Sequence, residues 1–114
     1  IDNAPGTGLL VDDGSSVGVE AASRVSGSTG AGIVVFAADF EMRDSQSLQN
    51  GPIGSDVEDG LWLDAPVRSV IERSTFSDNR GYGIFCSAGV VPTVCSGNVF
   101  LGNQLGNTNC TGCN

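Results

Sequence analysis

Apolar residues in this chain come in short runs, and most of the runs open on a glycine. "GLLVD" starts at Gly8, "GIVVF" at Gly32, "GLWLD" at Gly60 and "GIFCS" at Gly83. The steps between these glycines are 24, 28 and 23 residues, and a degenerate copy begins 23 residues further on at Gly106. Runs of four or five residues, bounded by Gly, Asn, Asp and Ser, predict short strands and frequent turns. Their recurrence at a near-constant step predicts a repeat architecture. The longest step carries extra material, "QNGPIGSDVED", over residues 49–59.

The second half of each unit also aligns. "VEAASRVSGSTGAG" begins at Val19, "VIERSTFSDNRGYG" at Val70 and "VCSGNVFLGNQLGN" at Val94. Val25, Phe76 and Phe100 then match, as do Ser28, Asn79 and Asn103, and "FEMRDSQ" from Phe40 fits the same register. The Asn and Gly positions are expected to mark corners between coils, because these residues enter positive φ at low cost.

Units of this length, with "N-x-G-x-G-I"-type corners after a "V-I-E-x-S-x-F" strand, resemble the right-handed parallel β-helix repeats of the pectate-lyase-like architecture. The resemblance implies an all-β fold: a right-handed single-stranded parallel β-helix of about four to five coils, one domain over residues 1–114. A leucine-rich repeat has a similar period, but its L-x-x-L-x-L framework is missing.

In such a fold each coil stacks on the next at about 4.8 Å. The inward columns are expected to be Leu9–Ile33–Leu61–Ile84, Val11–Val35–Leu63–Cys86 and, on the second strand, Val19–Phe40–Val70–Val94. Alternation turns Leu10–Val34–Trp62–Phe85 and Asp12–Phe36–Asp64–Ser87 outward. The first outward column is wholly apolar. It is covered either by the 49–59 segment or the N-terminal residues, or else by a sugar or another protein chain. Both ends of so short a solenoid need caps, for which the first residues and the cysteine-rich tail are the candidates.

Composition narrows the function. The net charge is −8, with five Lys and Arg together and no His. No basic cluster exists to hold nucleic acid or an anionic lipid surface, and no stretch is long and apolar enough for membrane insertion. Chain position Ile1 is not Met, so the sequence is read as a mature product or as a piece, such as the C-terminal part, of a longer protein. The four cysteines, Cys86, Cys95, Cys110 and Cys113, imply disulfides and an extracellular or cell-surface location. Three pairings are open to them. Cys86–Cys95 with Cys110–Cys113 is favoured, and Cys95–Cys110 with Cys86 as a buried thiol is its rival. A single C-x-x-C without His is a poor zinc site, and no βαβ pattern makes "CTGC" a redox motif. "NCT" at Asn109 matches a glycosylation sequon but abuts a cysteine expected to be bonded.

The resemblance also raises catalysis, since families of this fold include polysaccharide lyases and glycoside hydrolases. Asp12 and Asp64 are the candidate carboxylates, about 9.6 Å apart if two coils separate them. Asp13, Asp39 and Glu41 are further acids, and Arg43 and Arg68 are the candidate bases of a lyase. The hydrolases' Gly-His-Gly segment and Arg-Lys pair are absent, and no motif supports Ca²⁺ or any other cofactor. The leading expectation is a non-catalytic extracellular module, structural or adhesive. It presents Leu10, Val34, Trp62, Phe85, Phe36 and Asp64 to a polysaccharide or a protein, or to a second copy in a homo-oligomer. The alternative is a carbohydrate-active enzyme or a fragment of one.

Overall fold

A computed structural model describes residues 1–51, 58–66 and 68–113. Among these, every regular element is a strand, and every strand pair is parallel. The first sheet stacks β1 (Leu9–Val11), β4 (Ile33–Phe36), β7 (Leu61–Ala65), β10 (Tyr82–Cys86) and β13 (Gly106–Thr108). The second stacks β2 (Ser16–Val19), β5 (Asp39–Arg43), β8 (Arg68–Glu72) and β11 (Val94–Ser96). The third stacks β3 (Arg24–Ser26), β6 (Gln46–Leu48), β9 (Thr75–Ser77) and β12 (Val99–Leu101). Each of the four full coils thus gives one strand to each sheet, β13 adds a fifth strand to the first, and the chain is an all-β parallel solenoid of about four turns.

The first sheet follows the expected register. Ile33 pairs with Leu9 and Leu61, and Ile84 with Leu61; Val35 pairs with Val11 and Leu63, and Cys86 with Leu63. Ile33, Val35, Leu61, Leu63 and Ile84 are fully buried. Burial of each such side chain stabilises the fold by about 1.5–3 kcal/mol. No coil gains this alone, because each column closes only when its neighbours stack.

The second sheet corrects the expected column. Val19 pairs with Met42, and Met42 with Ile71, which faces Cys95; Phe40 pairs with Val17 and Ser69; Val70 and Val94 pair with each other and, through Val70, with Glu41. One extra residue in the first corner, where Ala21 and Ala22 both take positive φ (56° and 65°), sets Val19 level with Ile71 and not Val70, while Phe40 falls one position the other way, level with Ser69. In the third sheet, Val25, Ser47, Phe76 and Phe100 stand in register, and the last two rings stack at 5.7 Å.

The corners also differ from expectation. Asn79 does not supply the positive φ. That falls on the residue before it, Asp78 (55°), and on Gly27 (68°), Gln49 (56°) and Gly102 (65°) in the equivalent places. The asparagines instead point inward as a ladder. Asn50 Nδ2 donates to Asn79 Oδ1 (2.9 Å), and Asn79 Nδ2 to Asn103 Oδ1 (2.8 Å); Ser28 N donates to Asn50 Oδ1 (3.2 Å). A second polar ladder runs through Ser45, Ser74 and Asn98. The glycines that open the first-sheet strands make room for the asparagines: a Cβ on Gly32 would sit 2.5 Å from Asn50 Nδ2, and one on Gly60 2.7 Å from Asn79 Nδ2.

The two ends are unlike. At the C-terminal end the disulfides are Cys86–Cys110 and Cys95–Cys113, which overturns both expected pairings. Cys95 faces inward with Ile71 and not outward, and Cys86 and Cys110 lie 24 residues apart, one coil step, so each bond joins a strand of the last full coil to the tail beyond it. Cys110 and Cys113 pack on the core, so the tail does cap this end. Residues 1–3 line the third sheet's edge, through Asn3 N to Ser26 O (2.8 Å) and the Asp2–Ser26 bridge. They leave a cavity of about 370 Å³ open at the first coil, lined by Ile1, Leu9, Val19 and Val25 among others.

Candidate functional site

The apolar outward column exists as expected: Leu10 pairs with Val34, Val34 with Trp62, and Trp62 with Phe85. The N-terminal residues do not cover it, since they lie on the third sheet, and Leu10 is 59 % exposed. Whether the 49–59 insertion covers it turns on residues 52–57, which fall outside the described residues. The neighbouring column is interrupted. A bulge after Val35 sets Phe36 opposite Ala65, so Asp64 leaves the line of Asp12 and Phe36. Phe36 and Asp12 stay exposed at the surface.

At the C-terminal half of the column the side chains form a groove of about 360 Å³, lined by Asp59, Trp62, Tyr82, Phe85 and Leu105. Trp62 meets Phe85 edge-on at 6.2 Å between ring centroids, and Tyr82 lies 5.9 Å from Phe85 with its plane tilted by 31°. Trp62 is held from behind: its Nε1 donates to Ser87 Oγ (3.0 Å), which donates to Asp64 Oδ1 (2.8 Å). The bulge therefore gives Asp64 a positioning role, fixing the plane of the indole. A ring with its polar edge satisfied and one face open is a platform for a flat apolar surface.

Asp59 is the charged member of the groove. It is the last residue before Gly60, and the chain is pinned there by Gly32 N to Asp59 O (2.9 Å). Its Oδ1 accepts the Tyr82 N–H at 2.7 Å. Only 5 % of the residue is exposed, and this burial pushes its carboxyl up to about 6; the Tyr82 N–H opposes the shift and the charge of Glu58 adds to it.

The other acids and the arginines are engaged elsewhere. Arg68 and Arg43 both bond Glu41 (2.8 and 2.6 Å), Arg43 also reaches Glu72 (2.9 Å), and Arg73 pairs with Asp44 (2.9 Å). This network holds the carboxyl of Glu41 below its ordinary value, chiefly through Arg68, and raises Arg43 through Glu72 and then Glu41. Arg43 and Arg68 are thus ion-paired on the second sheet and unsuited to act as bases. Asn109 closes both sides of its amide on the backbone of Cys86 (2.7 and 3.0 Å). Among the described residues, no three His, Cys, Asp or Glu side chains gather as a metal site.

Sequence reasoning found Trp62, Phe85 and Asp64 but missed Asp59, Tyr82 and Leu105. Strict alternation would send Tyr82 inward with Ile84, and Asp59 reads as part of the insertion. The available signal was the Asp-Gly step directly before the Trp62 strand.

The model of the right-handed β-helix region family matches residues 1–114, the whole chain, and the chain belongs to that family. No curated protein and no solved structure matches it.

Proposed function

We propose that this protein is a non-catalytic extracellular β-helical module that contacts carbohydrate through the groove at Trp62, Tyr82 and Phe85. The supporting observation is the groove itself: three aromatic rings on a rigid sheet, with the Trp62 indole oriented by Ser87 and Asp64. Sugar rings present flat C–H faces that stack on such rings, while their hydroxyls meet carboxylates. Two disulfides support this reading, since such bonds persist in oxidising compartments. Leu10 and Val34 extend the same apolar line beyond the groove, so a long oligosaccharide suits it better than a single sugar.

A second reading, a glycoside hydrolase or polysaccharide lyase, draws on Asp59. A carboxyl with a pKa of about 6 is suited to proton transfer near neutrality. One assay series separates the two. The protein is incubated with neutral and acidic polysaccharides, and both binding and release of reducing or unsaturated ends are measured. Binding without turnover is expected. Turnover abolished in Asp59→Asn or Asp64→Asn would instead establish the enzyme.

A further inference from the structure

The chemistry of the groove is one-sided. Among the described residues lining it, the one ionisable acid is Asp59 and the rest are aromatic or apolar, with no arginine. The chain has no Lys and no His, and its net charge is −8. Arg24, Arg43, Arg68 and Arg73 are all paired with carboxylates on the second and third sheets. Aromatic faces and a carboxylate share one electrostatic preference: both attract positive charge, and both repel a uronate.

We propose that the sugar taken by this groove carries a protonated amine, as in an oligomer of glucosamine-type residues, with the ammonium between Asp59 and the rings of Tyr82 and Phe85. This rests on the reading of the groove as a carbohydrate site. The cation makes a charge-assisted hydrogen bond to Asp59 and a cation–π contact with the rings, while the remaining sugar faces stack along Trp62. Burial, with a further push from the charge of Glu58, makes Asp59 reluctant to ionise, and an ammonium beside it offsets that reluctance, so binding releases a proton wherever Asp59 was still protonated. The charged groups around Asp59 fit this scheme. Glu58, next in the chain, adds negative charge, and Asp64 lies behind Trp62 through Ser87. Arg80 approaches Glu58 where both crowd Gly51, outside the groove lining.

The test uses the chain's one tryptophan, Trp62, as a fluorescence reporter. Hexamers of glucosamine, N-acetylglucosamine and glucose are titrated at about pH 6, near the raised pKa of the Asp59 carboxyl. The glucosamine hexamer is expected to bind at least about tenfold more tightly than either neutral hexamer, the usual scale of one buried charge-assisted contact. Asp59→Asn is expected to shrink that preference to about twofold. Asp13→Asn, which removes a surface charge away from the groove, is expected to keep the preference. Equal affinity for all three hexamers would overturn the proposal and leave the carbohydrate reading standing. So would a preference that survives Asp59→Asn, since general attraction to an acidic protein would then explain it. Failure of all three to bind would overturn both.

Discussion

Replacing Asn79 with Ala removes the middle rung of the inner asparagine ladder. Asn79 Oδ1 accepts from Asn50 N (3.1 Å) and Asn50 Nδ2 (2.9 Å); its Nδ2 donates to Ser47 O (3.1 Å) and Asn103 Oδ1 (2.8 Å). The residue is fully buried, so the stranded groups do not reach water. Each buried polar group left without a partner costs about 1–3 kcal/mol. Asn50 Nδ2 retains its bond to Ser47 Oγ and Asn103 Oδ1 retains the Asn79 N–H, which leaves Asn50 N without a partner and Ser47 O one bond short, plus a cavity. The expected destabilisation is therefore about 3–6 kcal/mol, a large share of the 5–15 kcal/mol that holds a domain together. Asn103→Ala is the matched comparison. It breaks bonds to Asn79 N (3.2 Å), Asn79 Nδ2 (2.8 Å) and Phe76 O (2.9 Å), but at a half-buried rung where water can substitute. Its expected loss is about 1–2 kcal/mol. Urea unfolding followed by Trp62 fluorescence, with linear extrapolation, measures both. A loss below about 1 kcal/mol for Asn79→Ala, or equal losses for the two variants, would refute the ladder as a source of cohesion.

Three further outcomes are expected. Trp62→Ala should abolish oligosaccharide binding and lower stability by only about 1–3 kcal/mol, because the indole is 36 % exposed; unchanged binding would remove the ring from the site. Asp59→Asn should stabilise the protein at neutral pH by at most about 3 kcal/mol, and by less to the extent that the groove side is wet. The sign follows from a carboxyl whose folded pKa is raised to about 6: it favours the folded state below the ordinary carboxylate range, and that contribution is lost as pH rises through about 6. The variant's advantage should accordingly vanish near pH 4 in paired thermal melts; Glu41 and Asp44, lowered by arginine partners, act with the opposite sign and are common to both proteins. Finally, fragmentation of the non-reduced protein should show Cys86 joined to Cys110 and Cys95 to Cys113, and removal of either bond should cost about 3 kcal/mol by loop-closure entropy. A Cys86–Cys95 link would contradict the capped end.

Local sequence pattern was enough to establish the repeat, the parallel stacking of the first sheet and the outward column through Trp62. Those features depend on spacing and on alternation, and both are properties of the chain read in order. The register of the second sheet was not legible, because one additional corner residue at Ala21–Ala22 puts Val19 six residues before Val25, where Met42, Ile71 and Cys95 stand five before Ser47, Phe76 and Phe100. The same limit applies to the asparagines. Their residue type marks a corner, but only the stacked coils show that the side chains turn inward and bond one another, with the preceding residue taking the positive φ. Disulfide pairing likewise depended on which strand faces put the sulfurs together, and alternation counted from the wrong register sent Cys95 outward. The groove is the furthest from the sequence. Asp59, Tyr82, Phe85 and Leu105 come from three successive coils, and the carboxyl of Asp59 is raised by burial that no single coil provides. Spacing along a chain fixes which residues can stack; desolvation and ring contacts arise only once neighbouring coils exclude water from between them.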